Sequence, residues 1–354
     1  MNRWARRGLV PLAAALAVAC GSPPKPPDAP APPPVPAAAP APAPVRVEGV
    51  VAGRHERLLV YLPREGETTA IIAAHFLGSA SESWQIEDAN PGLTQAVAGQ
   101  PLVVPLVPRN PLGVTADGVQ SVPILCYHQF GTPPSKMTVT PVSFAAQLDW
   151  LAANGYRVVR LSDLAAFQAG KKALPPKSVV ITFDDAYESM YRHAYPALKQ
   201  RALPATMFVY TDFIGSRDAL SWPQMDEMRR SGLIDIQAHS KSHRNLMERG
   251  ADESEAAYRK QLDIELKHPR TVIERNLSGT SGKVRHFAYP YGDANAIVID
   301  AMRRNGYEIG VTVVPGSNPF YASPLLLKRV MIYGEHTLED FDARLNGRRP
   351  PRKP

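Results

Sequence analysis

From Val119 onward the apolar positions follow a repeating order: a stretch with helical spacing, a glycine, then a short apolar run. "FAAQLDWLAANG" precedes "YRVVRL", "PQMDEMRRSG" precedes "LIDIQA", and "AIVIDAMRRNG" precedes "YEIGVTVV". A glycine just past a helix supplies the left-handed conformation that ends it at little steric cost. Thr140-Pro141 ahead of the first stretch suits an N-cap followed by a first-turn proline. The pattern predicts strands at 122–127, 156–161, 178–183, 205–210, 233–238, 286–289, 308–314 and 327–333. Helix–strand alternation on this scale predicts a parallel sheet, and this many units an α/β barrel of the TIM-like kind.

The chain ahead of the barrel has a different character. Residues 1–20 combine a basic start, "MNRWARRG", with the apolar "LVPLAAALAVA", a run too short to span a membrane comfortably. The run ends at Cys20 in "AVACGS", which resembles the lipobox of bacterial lipoproteins, with Ala17 where leucine is usual. The resemblance implies a lipoprotein signal peptide, lipidation of Cys20, and an exported chain anchored to a bacterial membrane, facing the periplasm or the cell surface. The only other cysteine, Cys126, lies in an apolar run and reads as a buried thiol, so no internal disulfide explains Cys20. Residues 21–45 are a Pro/Ala tether that favours extended polyproline geometry, and residues 346–354 form a basic tail. Three arginines of the leader and four cations of the tail account for the whole formal charge of +7. The body is balanced, so no nucleic-acid partner is implied, nor does the sequence imply a protein partner.

Residues 46–108 read as a small α+β unit: a short strand pattern, an apolar helical patch with Ile71, Ile72, His75 and Phe76, then Trp84 and Ile86, then the strand "PLVVPL". Gly66-Glu67-Thr68, Ile72-Ala73, Phe76-Leu77-Gly78, Trp84, Asn90 and Gly99-Gln100 stand in the order of a LysM module, which this segment resembles. LysM modules bind N-acetylglucosamine-containing glycans. The alternative is a structural cap on the barrel.

The chemistry of the barrel is expected at the carboxyl ends of its strands. Asp184 and Asp185 follow the strand at 178–183, His239 and His243 follow 233–238, His128 follows 122–127, and "PYG" follows 286–289. Adjacent like charges need a partner or a shifted pKa. Two imidazoles and a carboxylate form a common catalytic zinc set with coordination left for water, and His239 and His243, four apart, would share one face of a helical turn. One aspartate then becomes a ligand and the other a base.

At these residues a family comes into view. "VVITFDDAYESMY", "IDIQAHSKSHRNL" and "HFAYPYGD" resemble the polysaccharide deacetylases of carbohydrate esterase family four, over roughly residues 121–341 within a domain at 119–345. The resemblance implies a distorted β/α barrel that removes N-acetyl groups from N-acetylglucosamine polymers. It implies Asp184 as base, and Asp185, His239 and His243 as ligands of a divalent metal, with zinc expected. It also implies an oxyanion contact from the Tyr291 N–H beside Pro290. Three departures stand out: Ala186 replaces the usual glycine, the usual arginine before the Pro-Tyr motif is absent, and so is the late Leu-x-His segment that carries the general acid. The last two resemble the branch acting on biofilm poly-N-acetylglucosamine, where Tyr127-His128 would bring the acid, His128, with His336 as its rival. Trp222 in "ALSWPQMDEM" fits a substrate-binding position of that branch. Two other readings stand beside this one: a non-catalytic glycan-binding envelope lipoprotein, and an esterase acting on O-acetyl groups. Peptidoglycan and exopolysaccharide both stay open as substrates.

Overall fold

The computed structural model describes residues 47–116, 118–277 and 283–346. The signal peptide, Cys20, the Pro/Ala tether and residues 347–354 of the basic tail lie outside them. Among the described residues no helix is long and apolar enough to cross a membrane.

The chain first builds a small unit around its own core. Strands β1 (Val50–Arg54), β2 (Leu58–Leu62) and β3 (Leu102–Pro105) form an antiparallel sheet in the order β1-β2-β3. Helices α1 (Thr69–Phe76) and α2 (Ser83–Ala89) pack on it through Leu59, Tyr61, Ile72, Ile86, Leu102 and Val104. The polar residues of the LysM-like order hold this unit together. Thr68 caps α1 by accepting the Ile71 N–H. Glu67 accepts from the Tyr61 hydroxyl at 2.8 Å and from the Arg64 N–H. Asn90 donates to Ile86 O and Val103 O and accepts the Val103 N–H, locking α2 to β3.

The larger unit is a curled parallel sheet wrapped by helices. Its strands are β4 (Ser121–Tyr127), β5 (Arg157–Val158), β6 (Ser178–Phe183), β7 (Ala205–Val209), β8 (Ile234–Ala238), β9 (His286–Ala288), β10 (Ile309–Val311) and β11 (Val330–Met331). They pair in parallel in the order β10-β9-β8-β7-β6-β4-β11, with β5 beside the start of β6. A single parallel bridge, Val311 to Leu327, brings the far edge back towards β11 and closes the curl into a distorted barrel. Every residue of β6 is buried, as expected for a strand covered on both faces.

The three helices read from the sequence are α3 (Pro141–Ala153), α6 (Trp222–Arg230) and α8 (Ala296–Arg304). Gly155, Gly232 and Gly306 follow them with φ of 74°, 73° and 72°. Thr140 caps α3 by accepting the Ser143 N–H. Three strands are much shorter than their apolar runs, among them β10, which takes only Ile309–Val311 of the run at 308–314. The run at 156–161 yields only β5, because the Asp163 carboxylate accepts the Arg160 N–H at 3.1 Å and α4 starts at Leu161 (Leu161–Gln168). The run at 327–333 yields only β11. Further helices are α5 (Tyr195–Gln200), α7 (Glu255–Asn276) and α9 (Leu338–Leu345).

His286 opens β9 and is 4% exposed. Burial, helped by Arg285, pushes its imidazole down to about 4 from an ordinary 6.5. Between those values the unfolded chain binds a proton that the folded chain refuses, so stability falls as pH drops from 6.5 towards 4. Relative to His286→Gln, the wild type should lose about 2 kcal/mol of unfolding free energy between pH 7.5 and pH 5. Urea unfolding of both proteins at the two pH values measures it, and parallel losses would refute it.

Candidate active site

The carboxyl ends of the strands converge on one polar cluster. Asp184 and Asp185 leave β6, His239 leaves β8, His128 leaves β4, and Pro290 and Tyr291 follow β9. The Asp185 Oδ1 stands 3.4 Å from His239 Nε2 and 3.3 Å from His243 Nε2. It is buried and takes no hydrogen bond. A buried carboxylate oxygen without a donor is costly, and here it faces two imidazole nitrogens. One ligand atom from each of Asp185, His239 and His243 lies within 4.8 Å of the others. One carboxylate and two imidazoles around an orphaned oxygen fit a divalent cation of the zinc type.

The histidine tautomer is set from behind. His239 Nδ1 donates to Ala288 O at 2.7 Å, because a carbonyl only accepts, which leaves Nε2 free to ligate. His239 and His243 do not share a helix. A loop joins them, with Ser240 at φ 73° and His243 at φ 62°, and it turns the two rings to a centroid distance of 4.8 Å. The buried Glu265 of α7 clamps this loop. It accepts the Lys241 N–H at 3.0 Å, the Ser242 N–H at 2.9 Å and the Ser242 hydroxyl at 2.8 Å. Asn245 ties the same loop to the Pro-Tyr loop through Asp293 at 3.0 Å.

Asp184 has a different environment. Arg329 donates to both its carboxylate oxygens, Nη1 to Oδ1 at 2.8 Å and Nη2 to Oδ2 at 2.7 Å. Arg329 is fully buried and also donates to Thr312 O at 2.7 Å. Burial alone would raise the Asp184 carboxyl. The Arg329 charge and its hydrogen bonds, with His239, outweigh burial and hold Asp184 below the usual carboxylate range. A ring nitrogen of His128, the Cys126 sulfur and an Asp184 oxygen lie within 4.8 Å of one another. Burial lowers the His128 pKa, while the Asp184 and Asp185 charges pull it back up.

Tyr291 sits at φ 60° and is 61% exposed, with its ring centroid 4.9 Å from that of His243. The turn around it is held by Gly292 N–H to Tyr289 O and Asp293 N–H to Pro290 O, which leaves the Tyr291 N–H outside both bonds. Tyr210 also packs on His243, at a centroid distance of 5.1 Å, and stacks on Phe213. Trp222 opens α6 and packs, half-buried, against the main core, whereas the aromatic rings set against His243 are those of Tyr210 and Tyr291. His336 Nδ1 accepts the Tyr333 N–H in the turn after β11, so this nitrogen is engaged within its own turn. Arg329, Glu265 and Tyr210 are site residues that the sequence motifs did not identify.

These features define a β/α barrel with a carboxylate–imidazole cluster suited to a divalent cation and a second, guanidinium-paired carboxylate at the carboxyl ends of its strands. Residues 171–310 match the family model for polysaccharide deacetylases, and the chain carries a polysaccharide deacetylase domain. YxkH of Bacillus subtilis, named for the same family, is 33% identical over 198 residues, covering 55% of this chain and 66% of that one. The poly-beta-1,6-N-acetyl-D-glucosamine N-deacetylase of Staphylococcus epidermidis is 31% identical over 181 residues, covering 50% and 61%. The chain thus spans just under two thirds of these relatives. Among solved structures, the Streptococcus pyogenes deacetylase PplD in complex with acetate superposes with a TM-score of 0.58 at 26% identity, covering 64% of this chain and 99% of PplD. IcaB from Ammonifex degensii gives 0.56 at 28%, covering 64% and 97%.

Glu265→Ala should lower affinity for an added divalent cation about 10- to 100-fold, the usual effect of removing support behind metal ligands. Competition with a chromogenic chelator reads this directly. Unchanged affinity in a folded variant would show that the histidine loop holds its shape without Glu265.

Proposed function

We propose that the protein is a metal-dependent hydrolase that removes N-acetyl groups from N-acetylglucosamine-containing polysaccharide. The observation that carries the reading is the division of labour between the paired aspartates. Asp185 faces two histidines, and Asp184, bound to Arg329, stays ionised beside them. Relatives named as deacetylases support the same reading, as does the complex of PplD with acetate, the product expected of such a reaction. The name of the Staphylococcus epidermidis relative favours a poly-β-1,6-linked polymer as the substrate to test first.

Asp185, His239 and His243 would hold the cation. Asp184 is kept ionised by Arg329 and is a weak base, so the water it deprotonates must be acidified, which is the Lewis-acid chemistry a divalent cation supplies when bound. Asp184 takes the proton of the attacking water, and Arg329 holds its carboxylate in place throughout. The Tyr291 N–H is positioned to donate to the oxyanion that develops on the acetyl carbonyl. The amine leaves poorly as an anion, so His128, with a ring nitrogen within 4.8 Å of an Asp184 oxygen, donates a proton to the leaving nitrogen.

Acetate release from poly-β-1,6-N-acetylglucosamine oligomers, with peptidoglycan run in parallel, tests the reading. Asp184→Asn and His128→Ala should each lower the rate by about 10² to 10⁴ while still binding metal, and His336→Ala should change it little. Full activity in His128→Ala with a dead His336→Ala would move the acid to the loop after β11. No acetate from either polymer would remove the proposal.

A further inference from the structure

We infer that the opposite end of the barrel carries a second site, which binds a small phosphate-bearing ligand. A cavity of about 690 Å³ opens there, at the amino-terminal ends of β7, β8 and β9, away from the metal-ligating residues. Five cationic side chains line it, Arg160, Lys171, Arg229, Lys283 and Arg285, against two carboxylates, Asp235 and Glu308. The body of the chain is close to neutral, so this concentration of positive charge is local. Ion pairs engage only part of it. Glu308 engages Arg285 at 2.8 Å, and Arg229 pairs with Asp226 at 2.7 Å. Lys171 and Lys283 form no ion pair among the described residues. Asp235 has its carboxylate held by the Gln237 amide at 3.0 Å, and burial pushes its pKa up, so its charge opposes an anion least.

The second observation is His286, which lines the same cavity while nine-tenths buried, with an Nδ1 that has no hydrogen-bond partner. A buried polar atom without a partner needs an account. Burial keeps this imidazole neutral near pH 7, so it offers one ring N–H as a donor instead of a charge. A buried neutral donor together with guanidinium and ammonium groups in one cavity suits a doubly charged oxyanion, which takes forked hydrogen bonds from arginine. The excess of three positive charges over the lining carboxylates disfavours the cationic glycan that deacetylation leaves, so the cavity is not an extension of the active-site cleft.

Calorimetric titration of the full chain with inorganic phosphate tests this. Saturable binding of one phosphate per chain is expected, weakening as salt rises. Lys171→Glu combined with Lys283→Glu should weaken it by about ten-fold or more while acetate release stays at the wild-type rate, which also shows that the variant is folded. Asp185→Asn, which disables the metal centre, should leave phosphate binding unchanged. Absence of saturable binding, or binding lost in Asp185→Asn and retained in the charge-reversed variant, would overturn the inference.

Discussion

The buried pair between Arg329 and Asp184 is the interaction on which the rest of the site depends. Neither residue has meaningful contact with water, at 0% and 2% exposure. A lone charge in that position would be untenable, and only a well-formed, fully hydrogen-bonded pair survives there. The bidentate geometry meets that demand, and the remaining guanidinium donors reach Thr312 O and the Thr182 hydroxyl. The pair therefore joins the end of β6, the end of β10 and the start of β11, the region where the sheet closes on itself. It also resolves the electrostatics of two adjacent aspartates. With the Asp184 charge balanced from behind, Asp185 is left to the two histidines.

A second constraint is conformational. Among the described residues six non-glycine positions have positive φ, and five of them, Asp185, Ala186, Ser240, His243 and Tyr291, surround the site. Each such residue costs on the order of 1 kcal/mol. The strain is held by bonds such as those of Glu265 to the histidine loop and of Asn245 to Asp293. It accounts for Ala186 too: the left-handed φ of 68° explains why glycine suits that place, and alanine is tolerated there because its neighbours hold it.

Much of this was legible in the amino-acid sequence. The helices ending at Gly155, Gly232 and Gly306 and the buried strands were readable because apolar spacing and glycine conformation are local properties. So was the gathering of Asp184, Asp185, His239, His243 and His128 at strand ends, since barrel geometry follows from helix–strand alternation. The histidine spacing misled, because four residues apart suits a helical turn as well as a loop with two left-handed residues, and only the tertiary bonds choose. Arg329 was hidden because its partner lies 145 positions away and the family's usual arginine stands elsewhere. The one sign of it was a cation inside the apolar run "LLLKRVMIY". Glu265 was hidden because α7, 22 residues long, has charged residues and Pro269 breaking its apolar rhythm. The export signal and Cys20 rest on sequence alone.

The claim that the Arg329–Asp184 pair organises the site is tested most directly by a double-mutant cycle on stability. Unfolding free energies of the wild type, Asp184→Asn, Arg329→Gln and the double variant give the coupling between the two side chains. The account predicts a coupling of at least about 2 kcal/mol, with the double variant losing far less than the two single variants' losses added together. Additivity within about 0.5 kcal/mol would contradict it, because it would mean that each charge is accommodated without the other.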